Sequence, residues 1–310
     1  HTSEEMFGIN HEDWSAKIIQ EHPQISNALE RFSHTSVKQI AGLINGREVP
    51  NKAIKSLISS QLDCDRLDYL LRDSYSTGAS YGQLDLERIL SALTLSPDGD
   101  LAINPKGLMA VEHYLVIRNL MYRSVYNHRL NEVSNWLLEL IIKTARELGP
   151  SKVWTDNYMN KWLWKFNEVD IETYLANDDY LTMYHLFRWK EDAPNRLANL
   201  CKRFLNRDLL KAIDIENLSN ESQLEGLAIA RKLTRNIGED PDLSCGIRKQ
   251  SIHGYSPYKG GLRLWDGEKL LALEKVSPLV ASLIKPAESS WLIHPHPIHQ
   301  ELKAQINCLK

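Results

Sequence analysis

Behind Pro105 lies the feature that most constrains this chain. From about residue 106 to 147, Leu108, Val111, Leu115, Leu120, Val125, Val133, Leu137 and Ile141 recur at helical spacing. The pattern predicts one long or broken core helix, and the rest of the chain is read around it. Residues 11–32 carry the same periodicity through Trp14, Ile18, Ile19, Ile25 and Leu29, with Pro23 kinking or splitting the run. Shorter helical segments follow at 36–44 and 52–61. Residues 157–237 are again helical in pattern, with Trp154, Trp162, Trp164 and Trp189 expected to bury large area. Loops are marked by NDD at 177–179 and NLSNES at 217–222. Two places change period: PDG at 97–99 sits between Leu93/Leu95 and Leu101/Ile103, and Asp266-Gly267 reads as a two-residue hairpin turn. Ser277-Pro278 is then expected to cap a last helix to about Lys285. The reading is mainly α, a helical core with small β-hairpins and a small C-terminal α+β region. Its segments are 1–150, 151–238 (a helical extension) and 239–310.

Charge and composition exclude some partners. The chain has 310 residues, 43% hydrophobic and 25% charged, and no apolar run of membrane-spanning length, so no membrane partner is expected. A formal net charge of -3 argues against a globally basic nucleic-acid binder and leaves a local basic patch open. Cys64, Cys201, Cys245 and Cys308 form no CxxC pair, which fits free thiols and a cytoplasmic setting. The opening HTSEEMFGINHED lacks signal-peptide character. HPHPIH at 294–299 is read as a surface loop because of its prolines.

Three clusters could carry chemistry. In LDCDRLDYLLRD, residues 62–73, helical spacing puts Asp65, Tyr69, Arg72 and Asp73 on one side and Leu67, Leu70 and Leu71 on another. One reading is a solvated face laced by aspartate–arginine pairs. The other is a nucleotide site, in which a carboxylate meets a cation, an arginine a phosphate, and a tyrosine and second aspartate a sugar. In HYLVIRNLMYRSVYNHR, residues 113–129, Arg118, Tyr122, Tyr126 and Arg129 fall at helical intervals with His128 close by, which suits an anionic, ring-bearing ligand or a core helix with snorkelling arginines. At the start, His1, Glu4 and His11 could form a proton-transfer set or simply be solvated.

The stretch QLDCDRLDYLLRDSYSTGASYG resembles the segment that closes the active site in HD-domain phosphohydrolases of the deoxynucleoside triphosphate triphosphohydrolase group. HTSEEMFGINHEDW, YNHR, the PY pair and SPLV are similar as well, so the likeness covers most of the chain, strongest over 60–82 and weakest over 150–240. The resemblance implies an HD-domain helical core, one divalent metal ion (Mn, Fe, Mg, Ni or Zn), deoxynucleoside triphosphates as substrates, and a homo-oligomer up to a tetramer. Carried over by position, it makes Asp65 a metal ligand. Arg66 lies near the triphosphate, Tyr69 under the deoxyribose, and Asp73 on the sugar 3'-hydroxyl. Arg118 contacts phosphate, Tyr126 lies beside the nucleoside with His128 in the same segment, and His1, Glu4 and His11 are active-site residues. The family's other ligands, a histidine and an HD pair, stand upstream of its GPFS stretch, so the chain is expected to be N-terminally incomplete. Hydrolysis of another nucleotide phosphate ester, or a non-catalytic nucleotide-binding oligomeric sensor, are the alternatives.

Overall fold

The computed structural model describes residues 8, 10–33, 35–47, 51–257 and 261–309. It is mainly helical, and the chain forms two compact units that cut across the three segments read from the sequence. One comprises Asn10–His128 and Ser251–Ala287; the other includes Arg129–Gln250 and Glu288–Lys310. Among the described residues no helix is long and apolar enough to cross a membrane, and all four cysteines are free thiols.

The first unit holds the residues of interest. Its early helices are His11–Glu21 and Pro23–Glu30, separated at His22 because Pro23 cannot donate its backbone nitrogen, followed by Ser36–Ile44 and Lys52–Ile58. The core gathers Leu67 and Leu70 of the helix Cys64–Thr77, Ile89 of Leu86–Ala92, and Val111, Tyr114, Leu115 and Met121 of Leu108–Met121. Tyr255, Leu273 and Val280 close it from the returning segment. The long apolar run is a broken helix. It opens with a 3-10 turn at Pro105–Gly107, continues as Leu108–Met121, widens into a π-turn at Tyr122–Tyr126, and resumes as Arg129–Leu148 in the other unit.

Both expected hairpins form, Leu93–Leu95 with Leu101–Ile103 and Arg263–Trp265 with Leu270–Ala272. Parallel pairing of Ile103 with Leu264 joins them into one four-stranded sheet, a long-range contact that no local turn signal encodes. The second turn is centred one residue later than Asp266-Gly267. Asp266 accepts from the backbone of Glu268 and Lys269, which leaves Gly267, at φ 106°, and Glu268 at the tip. The helix behind Ser277 is also shorter than expected, Pro278–Ser282.

In the second unit, the sheet of Lys211–Asp214, Ala287–His294 and Gly246–Ile252 has the helices Asn220–Asn236 and His299–Asn307 in the same unit. Trp162 and Trp189 are buried as expected, but Trp154 is 39% exposed; its ring stacks on the buried His185 at 5.4 Å and lies 3.7 Å from the Arg188 guanidinium. HPHPIH is not a surface loop. His294 ends a central strand with 0% exposure, and its ring stacks on His299, which begins the following helix.

Burial pushes the His294 imidazolium down to about 4 from 6.5. The unfolded chain takes up a proton below about pH 6.5, and the folded protein resists it until about pH 4. Stability present above pH 6.5 is therefore lost as pH falls through this window, by roughly 3 kcal/mol. Thermal melts between pH 7 and 4 are expected to show this slope, and His294→Gln to flatten it; an unchanged slope would assign the acid sensitivity to other groups.

Candidate nucleotide-binding wall

The helix Cys64–Thr77 begins where Asp63 accepts from the backbone of Arg66 at 2.9 Å, an N-cap that satisfies one of the free donors of the first turn. It ends at Gly78, whose φ of 71° suits glycine. The chain then folds back: the Ser74 hydroxyl donates to the Ala79 carbonyl at 2.6 Å, and the turn Ser80–Gly82 lies directly on the helix. A Cβ at position 82 would stand 2.3 Å from that of Ser74 and 2.7 Å from the Leu70 carbonyl oxygen. Gly82→Ala is expected to cost about 1–3 kcal/mol through this overlap, read as a lower urea midpoint at unchanged m-value.

Hydrogen bonds tie this segment to the helix Leu108–Met121 and its π-turn at a constant offset. The Tyr114 hydroxyl donates to the Gln61 carbonyl at 2.8 Å, the Tyr69 and Tyr122 hydroxyls meet at 3.2 Å, and the Tyr126 hydroxyl donates to Asp73 at 2.8 Å. Each pair is 53 residues apart, so the two stretches run parallel in fixed register. The π-turn is closed by Asn127 donating to the Tyr122 carbonyl at 2.8 Å. Such turns occur frequently at functional sites. Here it carries Tyr122 and Tyr126, whose rings meet edge-on at 5.1 Å, with Tyr69 edge-on to Tyr126 at 5.7 Å.

Charge is ordered along this wall. At one end lie two guanidinium groups. Arg66 is ion-paired to Asp63, which is 1% exposed and also accepts from the Ser60 backbone. Burial works against the Arg66 charge, but Asp63 and the neighbouring tyrosines outweigh it and hold its pKa above the ordinary value. Arg118 is 7% exposed; it donates through Nη1 to the neutral Gln61 Oε1 at 3.0 Å and lies 5.7 Å from the Tyr122 ring centroid. Its Nε has no partner among the described residues. At the other end, Asp73 accepts from Tyr126. Between them burial, together with its bond to Tyr122, raises the Tyr69 pKa; burial and Asp73 do the same for Tyr126. Both remain neutral phenols at ordinary pH.

The other residues singled out from the sequence are not among the hydrogen-bonded pairs named above. Asp65 is exposed on the first turn of its helix, and Arg72 is exposed and paired with Asp68, so that face of the helix is the solvated one. His128 is exposed at the end of the π-turn. His11 is exposed at the start of the helix His11–Glu21, and His1 and Glu4 lie outside the described residues. Arg129 opens the next helix, in the other unit. Among the described residues no three His, Cys, Asp or Glu side chains are placed to hold a metal ion together. Asp65 supplies one carboxylate, and a divalent centre needs several oxygen or nitrogen ligands. Sequence reasoning does not single out Gln61, Asp63 or Tyr114. Asp63 carries a readable N-cap signal, whereas nothing local points to Gln61 meeting Arg118.

A family model described as the HD associated region matches residues 84–294, more than half of the chain. The chain belongs to that family. As an HD associated region protein it is 31% identical to the uncharacterized protein YwfO of Bacillus subtilis, across 84% of this chain and 59% of that protein. It is 28% identical to the uncharacterized protein MJ1154 of Methanocaldococcus jannaschii, across 96% of this chain and 60% of that one. The chain thus spans about three fifths of these relatives (59% and 60%). Among solved structures, its fold is shared with a phosphohydrolase from Bacteroides thetaiotaomicron, at TM-score 0.77 and 22% identity, covering 93% of this chain and 73% of that one. A hypothetical protein from Aquifex aeolicus has TM-score 0.70 at 21% identity, covering 99% and 75%.

Proposed function

We propose that the intact protein is an HD-domain phosphohydrolase that splits a deoxynucleoside triphosphate into deoxynucleoside and inorganic triphosphate, and that this wall binds the nucleotide. The order of charge along the wall carries the reading: Arg66 and Arg118, then Tyr69 and Tyr122, then Tyr126 and Asp73. From Arg66 to Asp73 the helix rises about 10 Å, the scale on which a nucleotide passes from phosphates through sugar to a hydroxyl. A buried guanidinium that has no carboxylate partner among the described residues favours an anion, and a carboxylate held by a tyrosine accepts from a hydroxyl. Tyr69 packs against the sugar and crowds a 2'-hydroxyl, which sets deoxyribonucleotides apart from ribonucleotides. His128 belongs to the same proposed site at the end of the π-turn. Membership of the HD associated region family and the fold shared with a phosphohydrolase support the reading.

The divalent ion (Mn, Fe, Mg, Ni or Zn) is part of this proposal, with Asp65 as one ligand; the described residues do not complete its ligand set. His1, Glu4 and His11 are proposed for proton transfer, and a homo-oligomer up to a tetramer for the assembly, which light scattering after size exclusion would measure. The test of the reaction is chromatography of products after incubating the full-length protein with each common dNTP and a divalent ion. Deoxynucleoside and inorganic triphosphate in equal amounts are expected. Release of orthophosphate with a deoxynucleoside diphosphate, or of pyrophosphate with a deoxynucleoside monophosphate, would instead make it a phosphoanhydride hydrolase and overturn the triphosphate-releasing reading. No product with any dNTP would overturn the triphosphohydrolase reading.

A further inference from the structure

The two guanidinium groups of the wall are held in different ways. Arg66 leans on a carboxylate, Asp63; Arg118 leans on an amide, Gln61. Gln61 is 5% exposed, and its Oε1 accepts both from Arg118 Nη1 at 3.0 Å and from the Ser256 backbone N–H at 3.3 Å. Both partners are donors, which fixes this atom as the oxygen. The Gln61 backbone carbonyl meanwhile accepts from Tyr114 at 2.8 Å, so position 61 is pinned from the same helix that carries Arg118. A glutamate would fit the same space and accept the same bonds. It would also cancel the Arg118 charge at short range, since a carboxylate and a guanidinium form the stronger, charge-assisted pair.

We infer that Gln61 is a positioning residue that fixes the Arg118 guanidinium while leaving its charge available to a phosphate chain. This rests on the proposed nucleotide site and specifies what holds its principal cation. Asp63 and Arg66 neutralise one another, so the charge that recognises the anion is mainly that of Arg118. The amide supplies geometry without charge, a combination that neither an apolar residue nor a carboxylate at position 61 provides.

The experiment is calorimetric titration of the full chain with inorganic triphosphate and, separately, with dATP, dGTP, dCTP and dTTP. The proteins are the wild type, Gln61→Glu, Arg118→Met and the double variant, each with its thermal midpoint recorded. Gln61→Glu is expected to keep or raise the midpoint, because it converts a hydrogen bond into an ion pair, and to weaken triphosphate binding about tenfold or more. In the Arg118→Met background the same change is expected to cost less than about threefold, because its effect runs through Arg118. Equal binding by wild type and a well-folded Gln61→Glu would overturn the inference while leaving the nucleotide site standing. A loss of equal size in the Arg118→Met background would also overturn it, since the effect would then bypass the arginine. If Gln61→Glu does not fold, Gln61→Met decides: it keeps the Arg118 charge but removes its anchor, and unchanged affinity there would overturn the inference. Wild type that binds neither triphosphate nor any dNTP would overturn the nucleotide site itself, and this inference with it.

Discussion

Arg118→Met is expected to weaken binding of triphosphate or dNTP about 100-fold, in line with the roughly 2–5 kcal/mol lost when one partner of a buried charged contact is removed. The protein itself should lose little stability. Arg118 is buried at 7% exposure with a neutral partner, so its removal leaves no uncompensated charge behind, which is what makes one-sided loss of a buried ion pair costly. Gln61 keeps the Ser256 backbone as a donor after the change, so its carbonyl oxygen is not orphaned. The combination of lost affinity with a retained or raised thermal midpoint identifies a residue kept for a ligand rather than for the fold. A large fall in midpoint with affinity retained would mark Arg118 as a structural arginine.

Asp63→Ala is expected to do the reverse and destabilise the first unit strongly, by about 3–5 kcal/mol, since it breaks a buried ion pair from one side. Three contacts disappear together: the cap on the Arg66 backbone N–H, the bond from the Ser60 backbone, and the pair with the Arg66 side chain. The guanidinium left behind is half-buried, and its Nε already lacks a partner among the described residues. Urea unfolding checks this, and Asp63→Asn should recover part of the loss because its side-chain oxygen can still cap the helix. An Asp63→Ala protein within 1 kcal/mol of wild type, a typical surface-substitution effect at most, would show that the cap and the pair do not hold this segment.

Much of the fold was legible because its signals are local. Pro23 splits the first helical run, and PDG turns the first hairpin as its residues demand. What escaped depends on contacts distant in sequence. The parallel pairing of Ile103 with Leu264 leaves no periodic trace, and HPHPIH read as a loop because its prolines suggest one, although neighbouring strands and helices bury His294 completely. The unit boundary between His128 and Arg129 falls inside the longest helical pattern, since apolar spacing continues across a π-turn that only the hydrogen bonds reveal.

The candidate site was legible in kind rather than in detail. Spacing placed Tyr69 and Asp73 on one helix and Arg118 and Tyr126 on another; the fixed register that brings them together is a tertiary result. The solvated reading of LDCDRLDYLLRD holds for the Asp68–Arg72 face, and the core reading for Leu67 and Leu70. Gln61 carries neither charge nor a place in a motif. What draws attention to it is its hydrogen bond to a buried arginine that has no carboxylate partner among the described residues.

The most direct measurement is calorimetric titration of the wild-type chain with paired deoxyribo- and ribonucleoside triphosphates at two salt concentrations. The arrangement of arginines, tyrosines and aspartate described here predicts binding that weakens as salt screens the phosphate contacts, with the deoxyribonucleotide of each pair bound more tightly. Absence of binding, or equal binding of both sugars with no effect of salt, would contradict it.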